Sequence, residues 1–109
     1  MIFWITGRAG SGKTTLARKI CNQTGAILID GDLVRLKMQN KDYSRLGIDL
    51  NLRHIVSMAL KGVEDDKNVV ISCISPYREM RKKYQSMLPN CIEIQLPFGT
   101  MWEGTEYEE

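Results

Sequence analysis

The stretch at residues 7–14 constrains the fold of this chain more than any other. It reads Gly7-Arg8-Ala9-Gly10-Ser11-Gly12-Lys13-Thr14 and fits the pattern G-x-x-x-x-G-K-[ST] of a phosphate-binding P-loop. The apolar run at residues 2–5 predicts a buried strand before it, and Leu16 and Ile20 predict one face of a helix after it. A chance Gly-Lys-Thr sequence in a turn would not be expected to lie between a strand and a helix. The pattern therefore predicts a phosphate-binding P-loop.

The residue types in this loop suit the phosphates of ATP. Glycine permits positive φ and lets the backbone approach a phosphate, while successive N–H groups at a helix N-terminus form an anion-binding nest. Lys13 is predicted to reach the outer phosphates, and the Thr14 hydroxyl to bind Mg²⁺. The predicted nucleotide-binding residues are Gly7, Arg8, Ala9, Gly10, Ser11, Gly12, Lys13, Thr14 and Thr15.

Length and composition predict one small domain without a membrane segment. The chain has 109 residues, of which 43% are apolar, and no apolar run approaches the roughly eighteen residues of a membrane span. The first residues lack the pattern of a signal peptide, so we expect a cytoplasmic protein. The three cysteines are far apart and lie in apolar surroundings, which predicts buried thiols and no metal cluster.

Charge is distributed unevenly along the chain. The net charge is +2, but residues 1–96 hold all fifteen basic residues and only nine of the thirteen acidic ones. The excess of positive charge in residues 1–96 would attract either nucleic acid or a small anion. Because no nucleic-acid-binding motif is present, we expect a small anionic ligand and no nucleic acid.

Apolar segments alternate with helical ones, which predicts parallel strands joined by helical crossovers. The predicted strands are residues 2–5, 26–29, 69–74 and 91–96, with 69–74 central and 91–96 half-exposed. The predicted helices are residues 14–24, 32–39, a helix through 55–63, and 75–88. Residues 40–49 are predicted to be a loop. The fold class is α/β, a P-loop NTPase-type three-layer αβα arrangement on a short parallel sheet of about four strands. Residues 1–96 form the core domain, followed by an acidic tail at 97–109.

Helix starts are predicted at two polar residues. Asp32 is the expected N-cap of the second helix, and Ser75 that of the last one, with Pro76 at its first position. The expected buried stripe of the last helix is Tyr77, Met80, Tyr84, Met87 and Leu88.

Polar residues recur where the predicted strands end, which is where open α/β sheets bind ligands. Asp30 and Asp32 follow the second strand, and Arg35 lies one helical turn later. Asp32 is the candidate to accept a proton from an attacking hydroxyl or to hold Mg²⁺; a capping aspartate beside a surface arginine is the alternative. Ser75 follows the third strand. It either starts the next helix or contacts a substrate, and the sequence leaves both alternatives open.

These residues occur in one order together with Asn51 and Arg53. The set is Ile5-Thr6-Gly7, Gly10-Ser11-Gly12-Lys13-Thr14, Asp30-Gly31-Asp32 with Arg35, Asn51 with Arg53, and Ile74-Ser75-Pro76-Tyr77-Arg78. In this order and spacing the chain resembles the adenylylsulfate (APS) kinase family, which phosphorylates the 3′-hydroxyl of adenylylsulfate with ATP.

The resemblance implies a role for each matching residue. Lys13 and Asp32 are the implied catalytic residues, and Thr14 and Asp32 the implied Mg²⁺ partners. Arg35, Asn51 and Arg53 match positions that grip the sulfate ester nucleotide, and Ser75 matches the loop that lines the acceptor site. The resemblance therefore implies two small-molecule partners, ATP and an anionic acceptor.

The sequence also departs from the family pattern. Gly47-Ile48 stand where Asp-Arg is usual, and His54 replaces an arginine. Family members continue after the strand matched by residues 91–96 into a mobile basic lid, whereas thirteen residues follow here. The tail is either disordered or a lid remnant.

Three functions therefore stay open from the sequence. The first is an ATP-dependent phosphotransferase of the adenylylsulfate kinase type. The second is a non-catalytic nucleotide-binding module that regulates a partner or forms a homo-oligomer, and the third is a kinase with a different acceptor.

Overall fold

Four parallel strands form one sheet, and four helices cover its two faces. The computed structural model describes all residues 1–109. Its elements are β1 (Ile2–Gly7), α1 (Lys13–Thr24), β2 (Ile27–Asp30), α2 (Gly31–Lys37), α3 (Arg45–Glu64), β3 (Val69–Cys73), α4 (Arg78–Gln85) and β4 (Cys91–Leu96). The strand order is β2-β3-β1-β4, all parallel. The predicted α/β class is confirmed, and β3 is a central strand.

Alternate residues of the strands feed two separate cores. On one face Trp4, Val69 and Ile71 pack with α2, α3 and α4 in the larger core. On the other face Ile5 and Val70 pack against Ala17 of α1. Because consecutive strand residues point to opposite faces, unbroken apolar strands support helices on both sides of the sheet.

Helix starts are where the sequence predictions fail. Asp30, not Asp32, caps α2: its carboxylate accepts a hydrogen bond of 2.9 Å from the backbone N of Asp32. Helix α4 starts at Arg78, and Ser75 precedes it with a φ of 35°. The Ser75 cap is therefore wrong because that residue turns the chain between β3 and α4.

Helix α3 begins several residues earlier than predicted. Residues 45–49, predicted as loop, form its first turns, and Ile48 is buried there. The close contact at Gly47 explains this start, since a Cβ on Gly47 would lie 2.0 Å from the carbonyl oxygen of Asp42. A further difference is Met87, which is exposed although it was expected in the buried stripe.

Replacing Gly47 by alanine is expected to destabilise the chain by about 2 kcal/mol, because the methyl group overlaps backbone that cannot move away cheaply. Urea unfolding measures this loss. Leu46→Ala is the matched control: this neighbouring side chain is exposed, so we expect a change within about 0.5 kcal/mol. Equal stabilities for the two variants would contradict the proposed contact.

Residues 97–109 take a defined path over the carboxyl ends of the strands. Thr100 forms an antiparallel bridge with Ala9, and Tyr107 is buried. Tyr107 finds its partners far away in sequence, and the choice between a disordered tail and a lid remnant stays a prediction. The boundary at residue 96 stays a prediction. None of the four helices combines the length and apolar character that a bilayer span requires.

Candidate active site

A cavity of about 380 Å³ lies where β1, β2 and β3 end. It is lined by Ala9, Gly10, Gly12, Lys13, Thr14, Thr15, Asp30, Asp32, Ser72, Cys73 and Ile74. Six predicted nucleotide-binding residues thus meet the two strand-end aspartates, as parallel topology requires.

The glycines shape the rim of this cavity. Gly10 and Gly12 have φ of 76° and 94°, and Gly12 is the N-cap of α1. Such positive φ values favour glycine and turn the backbone N–H groups at the helix start toward one point. Gly7 is needed for packing, since a Cβ there would lie 2.7 Å from the carbonyl oxygen of Leu96.

Three predicted nucleotide-binding residues do not line the cavity. Gly7 packs on β4, and Arg8 places its guanidinium 5.2 Å from the centre of the Tyr107 ring. The Ser11 hydroxyl is buried without a hydrogen-bond partner. Their roles in nucleotide binding stay predictions.

Lys13 lies half-buried at the cavity, with its Nζ donating a 2.9 Å hydrogen bond to the carbonyl oxygen of Arg8. Burial lowers the pKa of Lys13, while the nearby carboxylates of Asp32 and Asp30 act in the opposite direction. The ammonium therefore gains from an anionic partner, which a phosphate group provides.

The lowered pKa of Lys13 predicts proton uptake on ATP binding. Bound phosphate favours the charged ammonium, so ATP affinity should fall as pH rises through the lowered pKa toward the ordinary value of 10.5. Calorimetry in two buffers with different ionisation enthalpies measures both effects. The variant Lys13→Arg keeps its charge at these pH values and should bind ATP without this proton uptake. A pH-independent affinity in the native chain would refute the linkage.

The two aspartates at this edge have different surroundings. One carboxylate oxygen of Asp30 caps α2, whereas the carboxylate of Asp32 accepts no hydrogen bond from the protein and is exposed to the cavity. Asp32 is consequently the carboxylate available to a ligand.

The oxygen atoms at the cavity fit Mg²⁺ held together with phosphate. The Thr14 hydroxyl and the carboxylates of Asp30 and Asp32 all line it. No cluster of three or more His, Cys, Asp or Glu side chains is suited to hold a metal alone. This donor set suits Mg²⁺, which takes few protein ligands and several from phosphate and water.

The three cysteines are free thiols, and only Cys73 is fully buried. The prediction of buried thiols is therefore too strong for Cys21 and Cys91, which are half-buried. Burial raises the pKa of Cys73 to about 12, so the thiol at the cavity wall stays neutral.

A second, much smaller cavity of about 20 Å³ adjoins the first one. Asp32, Cys73 and Ile74 line both cavities. The small cavity brings together three of the four predicted substrate-binding residues, namely Arg35, Asn51 and Ser75. Asp32 therefore lies between the P-loop and the predicted acceptor residues.

Arg35 is buried and already occupied. Its Nη1 donates hydrogen bonds of 2.8 and 3.2 Å to the carbonyl oxygens of Asp42 and Asn40. The guanidinium carbon lies 4.3 Å from the ring centre of Tyr43 and 5.7 Å from that of Trp102. An acceptor that binds Arg35 has to engage its remaining nitrogens or displace these contacts.

Asn51 and Arg53 lie on different sides of α3. The amide of Asn51 donates to the carbonyl oxygen of Gly31 at 3.2 Å, and its buried Oδ1 has no hydrogen-bond partner. Arg53 is exposed, pairs with Asp49 at 3.4 Å, and lines a separate groove between α3 and α4. The structure thus does not bring Arg53 into the candidate site.

Ser75 uses its hydroxyl inside the protein. Its Oγ accepts a 3.1 Å hydrogen bond from Trp4 Nε1 and lies 2.7 Å from Thr6 Oγ1. A substrate contact through this hydroxyl would have to break that network.

The sequence analysis assigns no role to three aromatic residues that the structure places in or near the site. Trp102 lines the small cavity, Tyr43 contacts Trp102 edge-on at 4.7 Å, and Tyr107 contacts Thr6 at the end of β1. For Tyr107 there was a weak sequence signal, because residues 104–108 faintly resemble a family segment, which is the basis of the lid-remnant alternative; Tyr43 and Trp102 stand in irregular segments without such a signal.

Comparison with known proteins gives a consistent match. The family described as Adenylylsulphate kinase matches residues 1–101. The adenylyl-sulfate kinase of Synechococcus sp. (strain JA-3-3Ab) is 36% identical over 97 residues, covering 84% of this chain and 55% of the relative. The chain thus spans about half the length of the curated relatives it matches.

Solved structures agree with this match. The APS kinase of Mycobacterium tuberculosis in complex with AMPPNP and APS superimposes with a TM-score of 0.72 at 25% identity, covering 87% of this chain and 61% of that one. A hexameric APS kinase from Thiobacillus denitrificans gives 0.73 at 29% identity, covering 86% and 21%. With its P-loop, its strand-end aspartates and these matches over most of its length, this chain belongs to the adenylylsulphate kinase family.

Proposed function

We propose that this chain transfers the γ-phosphoryl group of ATP to a hydroxyl of a small anionic acceptor, with the 3′-hydroxyl of adenylylsulfate as the first candidate. The observation that carries the proposal is the position of Asp32. Its carboxylate faces the P-loop cavity and borders the small cavity of Arg35 and Asn51. A carboxylate between the phosphate donor and the acceptor is in position to take the proton that the acceptor hydroxyl loses.

The proposed reaction needs positioning and charge neutralisation more than covalent catalysis. The acceptor oxygen forms a bond to the γ-phosphorus, and the bond from that phosphorus to the β,γ-bridging oxygen breaks, which releases ADP. Asp32 takes the hydroxyl proton. Lys13 and the backbone N–H groups of the P-loop stabilise the negative charge on the phosphoryl oxygens.

Magnesium, when bound with ATP, neutralises phosphate charge. Thr14 is the residue proposed to hold it at the helix start, with Asp32 able to contribute through water. Assigning Asp32 to the proton or to the metal requires a kinetic measurement, because both functions need a free carboxylate at this point.

A panel of acceptors tests the proposal. The chain is incubated with Mg²⁺ and ATP, and ADP release is followed with adenylylsulfate, with nucleosides, with sugars and with no acceptor. We expect ADP release that depends on adenylylsulfate and a product phosphorylated on the 3′-oxygen. Release with another acceptor only would support a kinase of different specificity, and it would reject adenylylsulfate.

A second candidate is a nucleotide-binding module without turnover. The state of the acceptor side favours it: the cavity that brings Arg35 together with Asn51 and Ser75 has only about 20 Å³, and Arg35 is engaged by loop carbonyls and aromatic rings. This candidate predicts ATP binding in the same experiment and no acceptor-dependent ADP release. An acceptor nucleotide that enters this small cavity requires Trp102, one of its lining residues, to move.

A further inference from the structure

The segment after β4 is bonded to the P-loop itself. The backbone N of Ala9 donates to the carbonyl oxygen of Thr100 at 2.8 Å, and Thr100 returns a bond of 2.9 Å to Ala9. Gly99 permits this approach, since its φ is 112° and a Cβ there would lie 2.2 Å from the Ala9 oxygen. Both backbone groups of one P-loop residue are thereby held by the segment.

Tyr107 forms a second attachment beside the first. Only 8% of the residue is exposed, and its hydroxyl lies 2.9 Å from the Oγ1 of Thr6, the residue before the P-loop. The ring centre lies 5.2 Å from the guanidinium carbon of Arg8 and 5.0 Å from that of Arg81. The ring therefore contacts one cation of the P-loop and one of α4, both in favourable cation–π range.

The hydrogen bonds around Thr6 fix Tyr107 as a donor. Thr6 donates its hydroxyl hydrogen to the carbonyl oxygen of Ile74 at 2.8 Å. The Oγ of Ser75 accepts from Trp4, so its own hydrogen is free for Thr6 at 2.7 Å. Thr6 Oγ1 then accepts from both Ser75 and Tyr107. Burial raises the pKa of Tyr107, which keeps the phenol protonated as this network requires.

These attachments lie next to the glycines of the P-loop. Gly10 and Gly12 allow the loop many backbone conformations, so fixing the loop for a ligand costs conformational entropy. Arg8, which Tyr107 contacts, also supplies the carbonyl oxygen that holds Lys13 Nζ at 2.9 Å. Restraint at residues 8 and 9 thus extends to the lysine.

We propose that Tyr107 is a positioning residue for nucleotide binding: through Thr6 and Arg8, and beside the Ala9–Thr100 bridge, it holds the P-loop ready for the phosphates. The inference rests on the proposed function for its meaning in catalysis. It deepens that function by giving residues 99–107 a definite task at the P-loop.

Two variants separate the ring from the hydroxyl. Tyr107→Leu removes both the cation–π contacts and the donor, and should weaken ATP binding with Mg²⁺ about tenfold. Tyr107→Phe keeps the ring and removes only the donor, and should weaken binding about threefold. In turnover, the KM for ATP should rise and kcat should stay unchanged. Phe98→Ala is the matched control, since this side chain is exposed in the same segment.

Amide hydrogen exchange of the ligand-free chain gives the direct readout. Exchange at residues 8–12 should accelerate in Tyr107→Leu and stay unchanged in Phe98→Ala. If Tyr107→Leu does not fold, the smaller change Tyr107→Phe carries the test. Lower melting temperature with unchanged ATP affinity and unchanged exchange at residues 8–12 would overturn the proposal, as would absence of ATP binding by the native chain. ATP affinity and hydrogen exchange are both measured without an acceptor. A chain that binds ATP without phosphorylating adenylylsulfate therefore refutes the proposed function and leaves this proposal testable.

Discussion

Replacing Lys13 by alanine should lower kcat/KM by roughly 10²–10³-fold and ATP affinity by about tenfold or more. The ammonium is half-buried, and its only protein acceptor is the carbonyl oxygen of Arg8. It is therefore the positive side chain at the cavity that can stabilise the negative charge on the γ-phosphoryl oxygens in the transition state. Calorimetry with Mg²⁺ and ATP measures the affinity, and steady-state kinetics measures the turnover.

Lys19→Ala is the control for this experiment. Lys19 lies on the same helix, is exposed and does not line the cavity. Loss of its charge therefore tests how much the overall positive charge of residues 1–96 contributes to ATP binding. We expect its kinetics to match those of the native chain. Equal effects of the two substitutions would mean that net charge, not the P-loop lysine, determines ATP binding.

The part of the site that could be predicted from sequence is the part made by local pattern. Gly10, Gly12, Lys13, Thr14 and Asp32 could be placed because a strand, a turn and a helix N-terminus follow one another directly, and because parallel strands end at one edge. The alternation of apolar and helical segments likewise predicted the parallel sheet. These features need no knowledge of distant contacts.

The failures come from contacts that sequence spacing does not show. The start of α3 depends on Gly47 packing against the backbone of Asp42. Asn51 and Arg53 were assigned to one site by the family resemblance, whereas residues two apart on a helix are rotated by about 200° around its axis and lie on nearly opposite sides, so a role for Arg53 stays a prediction. Tyr107 meets Thr6 across most of the chain, so no local pattern could place it.

Asp32→Asn should lower kcat by roughly 10²-fold or more and leave ATP affinity nearly unchanged, if Asp32 accepts the proton of the acceptor hydroxyl. The amide keeps the size of the side chain and loses the basic oxygen, and the cap of α2 is untouched because Asp30 supplies it. Kinetics at saturating ATP, repeated over a range of Mg²⁺ concentrations, measure the change. Asp66→Asn is the control, an exposed aspartate far from the cavity lining at a φ of 59° that asparagine also adopts.

The Mg²⁺ dependence decides between the two functions of this carboxylate. A base leaves the Mg²⁺ concentration for half-maximal rate unchanged while kcat falls. A metal partner raises that concentration, and part of the rate returns when Mg²⁺ is increased, because water can replace one carboxylate in the coordination shell of Mg²⁺. Native kcat in Asp32→Asn at every Mg²⁺ concentration would remove Asp32 from the mechanism. It would also leave Asp30, the other carboxylate at the cavity, as the group to test, although one of its oxygens already caps α2.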